Sequence, residues 1–118
     1  MREVYISTAC LKGEKSYERV LGKFLKNGIK NIELTGVHPH TNLKKLENII
    51  KRYQKKGIKF TFHNYFPPPK KPIVLNFLTN QKSQKKLSKG VISRSTFLAK
   101  KTGVPVYAFH PGYLREAN

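Results

Sequence analysis

The stretch Ile58-Lys59-Phe60-Thr61-Phe62-His63, running on into Asn64-Tyr65-Phe66-Pro67-Pro68-Pro69, decides the fold. Successive side chains of an extended strand point to opposite faces, which puts Phe60 and Phe62 on one side and Thr61 and His63 on the other. The same parity recurs upstream, where Ile32 and Leu34 oppose Glu33 and Thr35, and downstream, where Tyr107 and Phe109 oppose Ala108 and His110. Each segment has one bulky apolar face and one small or polar face. Such strands belong in a sheet that is covered by helices on its apolar side.

The intervening segments supply those helices. Tyr17, Val20, Leu21, Phe24 and Leu25 recur at the spacing of one helical face, which predicts a helix over residues 16–26 stopped by Asn27-Gly28. Leu43, Leu46, Ile49, Ile50 and Tyr53 predict a second, capped by Thr41 or Asn42 and closed at Gly57. Val91, Ser95, Leu98 and Ala99 predict a third, ending near Gly103. Val4-Tyr5-Ile6-Ser7 reads as a first strand, and residues 12–16 as the loop that opens the first helix. Strand and helix therefore alternate from β to the fourth β with short joints. That order argues for parallel strands joined by right-handed crossovers, and so for an α/β fold. No linker divides the chain, and residues 1–118 read as one domain. Residues 64–80 form one long loop, and its proline triplet reads as a stiff segment over a cleft in preference to a polyproline ligand.

Composition narrows the function classes. The single cysteine, Cys10, excludes an intrachain disulfide and a cysteine-based zinc knuckle. No run approaches the roughly 20 apolar residues of a membrane span, and Met1-Arg2-Glu3-Val4 enters a strand-like segment instead of a signal-peptide core. The expected address is the cytoplasm, with no membrane partner. The net charge of +18, from 24 basic and 6 acidic residues, favours polyanionic partners. The cations are mostly lysines spread along the chain. Only Arg2, Arg19, Arg52, Arg94 and Arg115 offer the guanidinium fork that phosphate and base recognition prefers. The charge is read first as solvated helix faces, and nucleic-acid binding stands as the second function class.

All four histidines, His38, His40, His63 and His110, fall at or just beyond the carboxyl ends of predicted strands. In parallel α/β folds that edge carries the ligand site. Parity turns Glu33 toward the same side as His63 and His110, and a carboxylate with two imidazoles suits a divalent ion such as zinc, manganese or iron. The alternative is that Glu33 pairs with Lys59 or Lys30 and that the histidines only hydrogen-bond to neighbouring loops.

The run His63-Asn64-Tyr65-Phe66-Pro67-Pro68-Pro69, followed by Val74-Leu75-Asn76-Phe77, resembles the third-strand motif of xylose-isomerase-like TIM barrels, especially their sugar phosphate isomerase and epimerase members. Tyr107-Ala108-Phe109-His110-Pro111-Gly112 resembles their fourth-strand histidine motif, and Ile32-Glu33-Leu34-Thr35-Gly36 their second strand. The resemblance extends to the endonuclease IV type of abasic-site nuclease. It implies that the chain is the N-terminal half of a (β/α)8 barrel, with His63 and His110 as ligands of a divalent metal, zinc or manganese foremost. Glu33 would occupy the acidic position of the second strand, as a catalytic, substrate-facing or structural group. Asn64 and Asn76 would contact sugar hydroxyls, with turn capping as the alternative for Asn76, and His38 and His40 would supplement the site.

Family members draw further ligands from strands five to eight. A catalytic metal needs about three protein ligands, so the resemblance implies weak metal binding and no activity for this half alone. Exposed sheet edges then predict self-association or pairing with a complementary C-terminal half. The substrate would be a sugar or sugar phosphate. The competing reading is a lysine-rich nucleic-acid-binding protein related to abasic-site endonucleases.

Overall fold

A computed structural model describes residues 3–39, 42–71 and 73–112. The chain runs through β1 (Ile6–Ser7), a 3-10 turn (Thr8–Leu11), α1 (Tyr17–Lys26), β2 (Asn31–Leu34), α2 (Leu43–Gln54), β3 (Lys59–His63), α3 (Lys82–Thr102) and β4 (Tyr107–Ala108). The strands form one parallel sheet in the order β1-β2-β3-β4. The α/β class and the parallel order read from the sequence are thus present.

Local chemistry sets the helix ends. The Ser16 hydroxyl accepts from the Arg19 amide at the start of α1 (3.2 Å), and the Asn42 side chain accepts from the Lys45 amide at the start of α2 (2.8 Å). Each bond satisfies an amide that has no partner within its helix. Asn42 is therefore the cap, while Thr41, the other candidate, lies outside the described residues. Gly103 ends α3 in the left-handed region at φ 68°, a conformation that costs other residues steric strain.

Two elements depart from expectation. α3 begins at Lys82, well before the predicted apolar face at Val91. Ahead of Val91 the inward position is Ser88, fully buried like Ser95 within the predicted face, so the hydrophobic period is interrupted where the helix still packs. Ser95 donates to the carbonyl of Phe66 (2.7 Å), which satisfies a hydroxyl that would be costly to bury alone. β1 and β4 each pair over only two residues, and each is hydrogen-bonded to a single neighbour.

The core lies on one side of the sheet. Ile32 and Leu34 of β2 and Phe60 and Phe62 of β3 pack with Val20, Leu21 and Phe24 of α1, Leu46 and Ile50 of α2, and Leu98 of α3. Burying side chains of this size contributes about 1.5–3 kcal/mol each. Phe66 belongs to the same core, tilted on Phe62 (4.7 Å between centroids) and edge-on to Tyr17 (5.1 Å). The segment after β3 is thus anchored beneath the sheet's end by Phe66 and Pro67, both buried, before it reaches the rest of its loop. Ser7, Glu33, Thr61 and His63 occupy the opposite face and are only partly buried. No helix among the described residues is long and apolar enough to cross a membrane.

Candidate functional site

Register places the polar face in rows. Ser7 of β1 stands beside Glu33 of β2, which stands beside Thr61 of β3, and one row further on His63 stands beside Ala108 of β4. Ser7 and Thr35 share a hydrogen bond between hydroxyls (2.8 Å). Ser7 escaped the sequence reading because β1 is too short to show alternation.

His63 and His110 come together. Their rings meet edge to face with centroids 5.5 Å apart. The approach follows from backbone bonds that continue past the ends of the strands. The Asn64 amide donates to the Ala108 carbonyl (3.1 Å), and the Phe66 amide closes a turn onto the His63 carbonyl (2.8 Å). The Nδ1 of His63 lies 3.1 Å from the main-chain oxygen of Asn64. A carbonyl only accepts, so Nδ1 carries the proton and Nε2 presents its lone pair, the form that binds a metal or accepts a proton.

The two asparagines have different surroundings. The amide oxygen of Asn64 is buried without a hydrogen-bond partner among the described residues. A buried acceptor left unsatisfied is costly, so this oxygen needs a donor such as an ordered water. Asn76 is buried and holds its own loop: its amide donates to the Ser88 hydroxyl (2.9 Å), and its side-chain oxygen accepts from the Leu78 amide (2.9 Å). The turn-capping alternative describes those contacts. The same loop is bound to the end of β4, since the Phe77 amide donates to the Pro111 carbonyl (2.8 Å).

Glu33 is set apart by its isolation. Of the six acidic residues, Glu3 pairs with Lys59, Glu14 with Lys23 and Arg19, Glu18 with Arg52, and Glu47 with Lys44 and Lys51, while Glu116 lies outside the described residues. The Glu33 side chain makes no ion pair or hydrogen bond among the described residues. The structural alternative for it, pairing with Lys59 or Lys30, is not what the fold adopts, because Lys59 reaches Glu3 instead (2.7 Å). No three metal-ligating side chains converge among the described residues, so Glu33 and the two imidazoles do not form a closed ligand set.

His38 is built into the protein interior. It is 2% exposed, with Nδ1 3.0 Å from the Glu14 carbonyl and Nε2 3.2 Å from the Thr8 carbonyl. Neither nitrogen is left for a ligand in this conformation. The Tyr17 ring meets it edge-on (5.0 Å), and the Tyr17 hydroxyl donates to the Thr35 carbonyl (2.6 Å). These contacts tie the loop after β2 to the turn after β1 and to the start of α1. His40 lies outside the described residues. A cleft of about 310 Å³ between α1 and α2, lined by Tyr17, Pro39, Leu46 and Ile49 among others, includes none of Glu33, His63 or His110.

Comparison with known proteins finds no matching family model, no matching curated protein and no matching solved structure. Fold and site alone define the class: a parallel α/β unit with helices packed on its apolar face and a histidine pair at the carboxyl edge of its polar face.

Proposed function

We propose that this chain is part of a metal-dependent sugar or sugar phosphate isomerase or epimerase of the xylose-isomerase-like kind, with its site on the polar face of the sheet. The observation that carries the reading is the approach of His63 to His110, 5.5 Å between ring centroids, at the ends of neighbouring parallel strands. Fully consecutive strand order with a core on one side is also the arrangement of part of a (β/α)8 barrel. The substrate class rests on the resemblance of the strings around His63 and His110.

The donor set fits a divalent ion in part. His63 and His110 would hold it, and it would polarise the carbonyl and hydroxyl oxygens of a bound sugar. Glu33, without an ion pair among the described residues, is the carboxylate on this face that can hold or move a proton at a carbon next to a carbonyl. The buried oxygen of Asn64 accepts from a sugar hydroxyl, which supplies the donor it otherwise lacks. Two imidazoles fall short of the roughly three ligands of a catalytic metal. The remainder comes from a second set of strands, from another copy or a complementary C-terminal unit, laid against the polar face and the free edges.

Titration calorimetry with zinc and manganese on the wild-type chain and on a His63→Ala, His110→Ala double variant tests the site. We expect the double variant to bind at least tenfold more weakly, and equal binding by both proteins would refute the site. Light scattering after size exclusion tests the second set of strands: a strict monomer that nevertheless turns over a sugar phosphate would contradict it.

A further inference from the structure

We propose that the solvent-facing side of α3, carrying Lys82, Lys85, Lys86, Lys89, Lys100 and Lys101, docks on the phosphate backbone of single-stranded nucleic acid. This surface is separate from the polar face of the sheet and does not depend on the metal reading.

Helical spacing puts Ser88, Val91, Ser95, Leu98, Ala99 and Thr102 on the buried side of α3. The six lysines are all exposed, and among the described residues none is in an ion pair. The other two helices are different. Glu18 on α1 pairs with Arg52, and Glu47 on α2 pairs with Lys44 and Lys51, whereas the sequence of α3 contains no acidic residue at all. α3 therefore carries seven cations that no described carboxylate pairs, with none of the acidic residues that offset charge on α1 and α2. At 1.5 Å per residue Lys82 and Lys100 stand about 27 Å apart, a length that faces many phosphates of an extended strand.

The placement also works against the helix itself. The amino end of a helix carries partial positive charge, and acidic residues stabilise it there. α3 has no acidic residue in its first turn, Gln81 makes no side-chain capping bond, and Lys82, Lys85 and Lys86 crowd that end. Lys82 and Lys86, and Lys85 and Lys89, are like charges four residues apart, which repel. A solvated face with no other role gains nothing from this arrangement, and a bound polyanion relieves both penalties at once.

Phe97 selects among polyanions. It is 54% exposed on the same helix, with the Lys101 ammonium 5.5 Å over its ring. An exposed ring among cations offers a stacking surface to an unpaired base, which a duplex withholds. An anionic membrane is less well matched. The apolar side of α3 is already buried in the core, and its exposed apolar residues Leu87 and Phe97 stand about 15 Å apart along the axis.

The test is fluorescence polarisation of a labelled 20-nucleotide single strand with the full chain over a salt series. Two charge-matched variants are compared: Lys82→Gln, Lys85→Gln, Lys86→Gln, Lys89→Gln on α3, and Lys12→Gln, Lys26→Gln, Lys30→Gln, Lys55→Gln elsewhere. We expect the α3 variant to bind at least tenfold more weakly, with a salt slope shallower by about 3, and the control to lose less than threefold. Phe97→Ala should weaken single-strand binding several-fold and duplex binding hardly at all. Circular dichroism should show an α3 variant melting no lower than wild type, because repulsion is removed. Equal weakening in the two charge variants, or tighter binding to phosphatidylserine vesicles than to the oligonucleotide at the same salt, would overturn the proposal.

Discussion

A Cβ atom on Gly36 would lie 1.9 Å from the carbonyl oxygen of Tyr65, so the loop after β2 and the turn after β3 touch through bare backbone. The neighbouring atoms are main chain and cannot swing aside. Gly36→Ala must displace the turn that carries Asn64 and adjoins His63, and we expect a loss of about 3 kcal/mol. Gly90, inside α3, has nothing within 4 Å of a built Cβ, and Gly90→Ala should add about 1 kcal/mol. Urea unfolding of the two variants checks both signs, and a neutral Gly36→Ala would mean that the two loops are not in contact in solution.

His38→Ala removes a buried ring and leaves the carbonyls of Glu14 and Thr8 without those contacts. A cavity with unsatisfied acceptors costs about 3 kcal/mol. Thermal unfolding should show the loss, while the metal affinity proposed for the His63 and His110 pair should stay within twofold. A variant as stable as wild type would remove His38 from the framework.

Burial pushes the Tyr17 hydroxyl's pKa well above its ordinary value of 10.0. The unfolded chain then ionises this group first as pH rises, so stability that is complete below pH 10 is lost above it. Tyr17→Phe cannot ionise and should flatten that alkaline limb, at the expense of the hydrogen bond to Thr35 seen at neutral pH. Denaturant midpoints measured between pH 8 and pH 11 decide, and identical alkaline slopes in both proteins would count against a protonated, buried Tyr17.

The acid limb has another origin. Hydrogen bonds from Lys23, Lys59 and Lys51 hold the carboxyls of Glu14, Glu3 and Glu47 below the ordinary 4.5. Depressed carboxyl pKa values give stability that is present above pH 4.5 and disappears as these groups protonate below it. Melting temperature should be level from pH 7 to pH 5 and then fall. Half-molar salt should shrink the fall, because these pairs are solvent-accessible and screened. A salt-independent acid limb would assign it to other groups.

Much of the fold was legible in the residues themselves. The parity of 58–63 and of 31–36 anticipated which side of β2 and β3 is buried, since alternation is a property of extended backbone. The faces of α1 and α2 were equally plain, because Tyr17, Val20, Leu21 and Phe24, and Leu46, Ile50 and Tyr53, are large and regularly spaced. The start of α3 is not legible in the sequence, because Ser88 fills an inward position where the Asn76 backbone supplies its hydrogen bonds.

The candidate site divides in the same way. Strand parity was enough to set Glu33 and His63 on one face, and the residue types named the chemistry they could perform. Only the folded chain decided that His63 meets His110, that His38 is enclosed between two carbonyls, and that among the described residues Glu33 is the carboxylate left without a cation. Those outcomes depend on distances between segments far apart in the chain. Local periodicity determines which way a side chain points, but what it meets there is set by the packing of the other elements.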